Sequence, residues 1–89
     1  MKIEKLGGDV FQVTVAGSTT TKHKVTLTDN HHKYLTEGRV SREELLDFSF
    51  KFLLEREPNT SILSSFDIIV IQNYFTEYKV EVKRWCDSL

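Results

Sequence analysis

An α+β fold is predicted: a small N-terminal three-stranded antiparallel meander followed by a layer of two to four helices. Three observations carry this. Up to residue 28 the apolar and polar side chains alternate as on strands. Beyond it, apolar side chains recur at helical spacing. Between these regions "VSREEL" spells out a helix start at Ser41.

The strands come first. Lys2 to Leu6 is followed by Gly7-Gly8, a pair free to take positive φ, and then by a run from Val10 to Ala16, so a hairpin is expected. In the second run Phe11, Val13 and Val15 face a core, while Gln12, Thr14 and Ala16 face solvent. "GSTTT", residues 17–21, reads as a loop. The third run, Lys22 to Thr28, turns Val25 and Leu27 inward and Lys24, Thr26 and Thr28 outward. Short connections favour pairing between sequence neighbours, which gives the meander.

The helices follow. Asp29 or Asn30 caps a short helix through "HHKYLTEG", stopped by Gly38. Ser41 with Glu44 forms a capping box, and Val40 with Leu45 a hydrophobic staple. This second helix runs from Arg42 to about Arg56, limited by Pro58. Leu45, Leu46, Phe48, Phe50, Phe52, Leu53 and Leu54 cover most of its surface. Only Glu44, Asp47, Lys51 and Glu55 make a clear polar stripe. A helix this apolar needs cover on several sides, which predicts a partner. In "LSSFDI", Ser64 and Asp67 repeat the capping grammar and predict a helix over 65–75. The competing reading is a buried strand through Ile68–Ile71. In the tail, Tyr78, Val82, Trp85 and Cys86 fall at helical spacing over 76–87, against a strand-like alternation at Val80 and Val82.

Eighty-nine residues read as one domain, with 1–28 as the meander and 29–89 mainly helical. A chain of this size buries a thin core. Hydrophobic residues at 39% and charged residues at 28% fit a globular protein rather than a disordered one. The longest apolar run, Ile68 to Ile71, is too short to span a membrane, and "MKIEKLGG" shows no secretory signal. A single cysteine, Cys86, forms no disulfide within the chain, and these features point to the cytoplasm. Twelve basic and thirteen acidic side chains give no general pull toward nucleic acid or anionic lipid.

Candidate chemistry is sparse. His31 and His32 are adjacent, without the i, i+4 spacing of helical metal ligands, and His23 has no ligand partner in sequence. All three histidines read as solvated side chains near loops. Cys86 has Lys83 and Arg84 nearby but no recognisable base. Ser61, Ser64 and Ser65 read as turn and cap residues, and Gly7-Gly8 lacks the rest of a phosphate loop. Glu43 and Asp47 sit on a solvated stripe beside Lys51. No catalytic, cofactor-binding or metal-binding residues are assigned.

Two resemblances add to this. "KHKVTLTDNHHKYLTEGRVSREELLDFSFKFLLER", residues 22–56, resembles ribbon-helix-helix regulators and antitoxins. The resemblance implies a strand that pairs across a dimer and reads the major groove through Lys24, Thr26 and Thr28. It also implies a phosphate held at the helix start at Ser41. A local basic patch of Lys22, His23, Lys24, Lys33, Arg39 and Arg42 would support it. "LLEREPNTSILSSFDIIVIQNYF", residues 53–75, resembles small bacterial proteins of unassigned function, which implies a bacterial origin.

The leading expectation is therefore a non-enzymatic interaction or regulatory module. It pairs with itself as a homodimer or with another protein, through Phe48, Phe50, Phe52 and Leu54. A DNA-binding regulator stands second and a small hydrolase third.

Overall fold

Two residues reverse the chain at its first turn. Gly7 pairs with Val10, so Gly8 and Asp9 form the hairpin loop, and Gly8 takes the left-handed φ of 55° that a side chain would strain. The computed structural model describes residues 1–89. Strands β1 (Lys2–Gly7) and β2 (Val10–Val15) are antiparallel, and β3 (Thr21–Thr26) pairs antiparallel on the other side of β2. Phe11, Val13 and Val15 of β2 and Val25 of β3 are buried, as is Leu27 just beyond it. This much follows the alternation in the sequence.

A fourth strand corrects the expected architecture. β4 (Ser65–Asp67) lies parallel to β3, with Val25 opposite Phe66, and the strand order is β1-β2-β3-β4. The sheet is thus mixed, and part of the segment expected to be helical belongs to it. A parallel strand needs a long crossover, which the two intervening helices supply. Helix α1 spans Asp29–Thr36 and helix α2 spans Arg42–Leu54. After β4 come a short 3₁₀ turn at Ile68–Val70, a single helical turn α3 (Ile71–Tyr74) and α4 (Tyr78–Asp87).

Caps show why the elements stop and start where they do. The capping box at Ser41 is complete: Glu44 N–H donates to Ser41 Oγ at 3.1 Å, and Ser41 N–H donates to Glu44 Oε1 at 2.9 Å. Thr28, rather than Asp29 or Asn30, caps α1, taking the His31 N–H at 3.2 Å. The expected helix over 65–75 does not form as one piece. Ser64 is no cap; Asp67 is, accepting from Ile69 N–H at 3.0 Å at the end of β4. The cap signal was real, but it lies three residues later and closes a strand. The helix over the tail forms as expected, as α4.

Helix α2 is the centre of the core, covered by its own chain on every apolar face. Leu45, Leu46, Ser49, Phe50, Phe52 and Leu53 are buried. Ser49 faces α4, where Tyr78 Oη lies 2.6 Å from its Oγ. Ser49 Oγ donates to Leu45 O at 2.7 Å, so the tyrosine is the donor to Ser49. Burial raises the pKa of the Tyr78 phenol, and the Ser49 contact opposes the shift only in part. Removing one partner of such a pair costs more than removing both. Ser49→Ala strands the buried Tyr78 hydroxyl and is expected to cost about 1–3 kcal/mol. Tyr78→Phe leaves Ser49 bonded to Leu45 O and should cost less. Adding Tyr78→Phe to Ser49→Ala should return part of the loss, and urea denaturation of the three variants measures this.

At the far end, Asp87 of α4 is held by Lys83 at 3.0 Å and by Arg39 from the α1–α2 connection. These two hydrogen bonds, Lys83 first, lower its pKa. The folded chain then keeps a carboxylate charged where the unfolded chain would protonate it. The contribution is complete above the unfolded Asp value of about 3.9 and is lost as pH falls through the lowered folded value. Asp87→Asn is thus expected to lower stability near neutrality, and the gap from wild type should close in strong acid. Paired urea titrations at the two pH extremes would show a constant gap if the pairing contributes nothing.

Candidate functional site

A more polar hollow of about 170 Å³ lies between α1 and α4, and an apolar groove of about 240 Å³ lies beside β4. Leu53 supplies one wall from the last turn of α2, and Glu57 follows it after the chain leaves the helix. Ile62, Leu63 and Phe66 come from the connection into β4 and from β4 itself. Val70, Ile71, Tyr74 and Phe75 close it from the far side. Eight of the ten lining residues are hydrophobic, so the groove can hold apolar side chains but has few groups with which to do chemistry. Leu63 is 47% exposed and Tyr74 69% exposed, so the apolar surface continues outward past its rim.

A buried polar chain fixes one wall. His23, on the core face of β3, is 2% exposed. Its Nδ1 donates to Leu63 O at 2.7 Å. In that tautomer Nε2 accepts, and Thr21 Oγ1 donates to it at 2.8 Å. Thr21 Oγ1 in turn accepts from Asn59 Nδ2 at 2.9 Å, and the same nitrogen donates to Thr19 O at 2.8 Å. Gly17 lies close by; a Cβ there would stand 2.7 Å from Asn59 Oδ1, so a glycine is required. Residues 59–63 are thereby bound along β3, and β4 follows in register.

His23 is not solvated, contrary to expectation, whereas His31 and His32 stay half-exposed but hydrogen-bonded. His23 lies in the core, His31 Nδ1 donates to Asp67 Oδ1 at 3.0 Å, and His32 Nε2 donates to Val40 O at 2.6 Å. The first two rings fasten segments distant in sequence, and His32 ties α1 to the start of the α2 connection. Alternation alone would place His23 on the buried face with Val25 and Leu27, so its burial was readable; its partners were not.

The phenylalanines expected to meet a partner are used within the chain. Phe48 stacks on Trp85 of α4 with ring centroids 4.4 Å apart. Phe50 is fully buried against His23 and Phe66, at 5.4 and 6.2 Å. Phe52 meets Phe75 and Tyr78 edge-on at 5.9 and 5.3 Å, and the Arg56 guanidinium lies 3.5 Å from its ring centroid. Leu54 remains exposed at 37%, and Phe48 is only partly buried. The excess of apolar faces on α2 is met by α4 and by residues 62–75, not by a surface left for others.

Lys24 and Thr26 do point away from the core, but Thr28 is the α1 cap and Ser41 the α2 cap. β3 is flanked by β2 along its length and by β4 at Lys24–Thr26. The α2 N-terminus already holds the Glu44 carboxylate. Arg39 pairs with Asp87, and Arg42 with Asp9 and Asp29, which neutralises part of the basic patch.

No family model, no curated protein and no solved structure matches the chain. The residues themselves therefore carry the functional reading.

A hydrolytic centre finds half its parts. His31 with Asp67 has the geometry of an oriented imidazole, but no serine, threonine or cysteine side chain is hydrogen-bonded to its Nε2. The Cys86 thiol is buried, and that burial raises its pKa, which disfavours the thiolate.

Adjacent residues on β3 should respond oppositely to truncation. His23→Ala removes the donor to Leu63 O and opens a cavity, with an expected loss of about 3 kcal/mol. Lys24→Ala, exposed beside it, should change stability by less than about 0.5 kcal/mol. Chemical denaturation of both decides the point.

Proposed function

We propose that this chain is a non-enzymatic interaction module, and that the groove beside β4 takes apolar side chains from another protein. One observation carries the reading. A concave, largely hydrophobic site opens to solvent, and its apolar surface extends over Leu63 and Tyr74. Contiguous exposed apolar surface with polar surroundings marks contact sites. The polar groups inside it, Ser61 and Glu57, have no histidine among the lining residues to make them reactive.

The exposure of Leu63 and Tyr74, against the packing of Phe50 and Phe52 within the chain, supports reading the exposed pair as the binding surface. The partner is another protein, because the uncovered helix that would call for a second copy is covered. A role in regulation follows from this reading only as the consequence of binding, with no chemistry at the site.

The test is a selection of displayed random peptides against the purified protein. Enriched peptides should carry paired apolar side chains. They should bind Leu63→Asp or Tyr74→Asp at least about tenfold more weakly than wild type, since each puts a charge where an apolar contact is buried. Both positions are exposed, so unchanged thermal melts would verify that folding is intact. Failure to enrich any peptide, or peptides indifferent to both substitutions, would sink the reading.

A further inference from the structure

Glu57 breaks the pattern of the groove. It is half-buried among apolar residues, yet its carboxylate is in no ion pair and accepts no side-chain hydrogen bond. Nearby cationic charge is already taken. Arg56 lies over the Phe52 ring and donates to Phe52 O at 2.8 Å and to Glu77 at 3.3 Å. Its guanidinium also lies 3.9 Å from Glu55. Glu55 and Glu77 thus share one engaged arginine, and Glu57 has no cation within ion-pair distance. A partly desolvated carboxylate costs free energy unless a cation or donor meets it.

We propose that the groove recognises a protein segment in which a lysine or arginine adjoins the apolar anchor, with the cation seated on Glu57. This rests on the groove being the binding site. Charge chooses between occupants. A second copy docked groove to groove about a two-fold axis would bring no cation to Glu57, because the groove's lining contains no lysine or arginine. A basic segment supplies the complementary charge. A small apolar ligand is the poorer fit, since the groove is open on one side and cannot enclose most of such a molecule's surface.

The selected peptides supply the probe. They are expected to show Lys or Arg at a fixed offset from the apolar anchor, and to bind more weakly as salt rises. Glu57→Gln should weaken them about fivefold, within the range of one partly exposed charge pair. Glu57→Lys should weaken them further, and repeating the selection on that variant should favour acidic peptides. Unchanged melts of both variants would keep the comparison clean. Peptides that require Leu63 but carry no fixed cation, or that bind Glu57→Gln like wild type, would overturn the cation site while leaving the groove reading intact. Peptides indifferent to Leu63 and Tyr74 would overturn both. Sedimentation showing self-association that Leu63→Asp abolishes would assign the groove to a second copy and overturn the proposal.

Discussion

The buried hydrogen-bond chain from Asn59 through Thr21 and His23 to Leu63 is the constraint on which the rest of the molecule depends. It joins the connection after α2 to the inner side of β3. A polar chain inside a small core is costly unless every member is satisfied, and here each has a partner. That requirement fixes geometry more tightly than apolar packing could. A leucine at position 23 would fill space in several ways, but an imidazole donating to one carbonyl and accepting from one hydroxyl fits one arrangement.

From that attachment the fourth strand follows. With residues 59–63 held against β3, Lys24 N–H reaches Ser64 O at 2.8 Å, and the next three residues continue the ladder. Phe66 then turns into the core against Phe50, and Asp67 ends the strand by capping the turn behind it. The same Asp67 receives His31 from α1, so the end of β4 is fastened to the helical layer as well. The groove exists because this connection and the end of α2 are held apart at fixed positions. Its walls are supported by core residues, while Leu63 and Tyr74 at its rim are left free of packing. Exposed rim and scaffold are thus divided between neighbouring residues.

Local grammar made much of the fold legible. The alternation in β2 and β3, the capping box at Ser41 and the helical spacing in α4 are each set by residues within a few positions of one another. β4 is not of this kind. Three residues make it, and they pair with a strand forty positions earlier, so no periodicity could announce them. Ser64 and Asp67 offered a helix start, and Ile68–Ile71 offered a strand. The structure uses Asp67 as the cap but places the strand before it. Proximity to β3 overrode both local preferences. The groove was hidden for the same reason, because its walls meet only once β4 is docked. Glu57 left a trace only as one more charge next to Pro58 in a polar stretch, and a solvated turn explains such a residue equally well.

The crowded apolar surface of α2 shows how composition misleads about interfaces. Seven large apolar residues on one helix exceed what one flat sheet could cover, and a partner was the natural inference. The chain instead wraps the helix, with the sheet on one side, Trp85 and Tyr78 of α4 on another, and Phe66 and Phe75 completing the circuit. In a chain of 89 residues this places a whole helix at the centre and spends most other elements as cover. Large apolar side chains still stand exposed at several places, and two of them, Leu63 and Tyr74, meet at the groove that the unpaired Glu57 also lines. Leucine at position 57 would suit the groove's walls and remove the one charged side chain among them. That glutamate stands there instead is the kind of local conflict that a binding function accounts for, since specificity is gained by leaving a polar group for the right partner to satisfy.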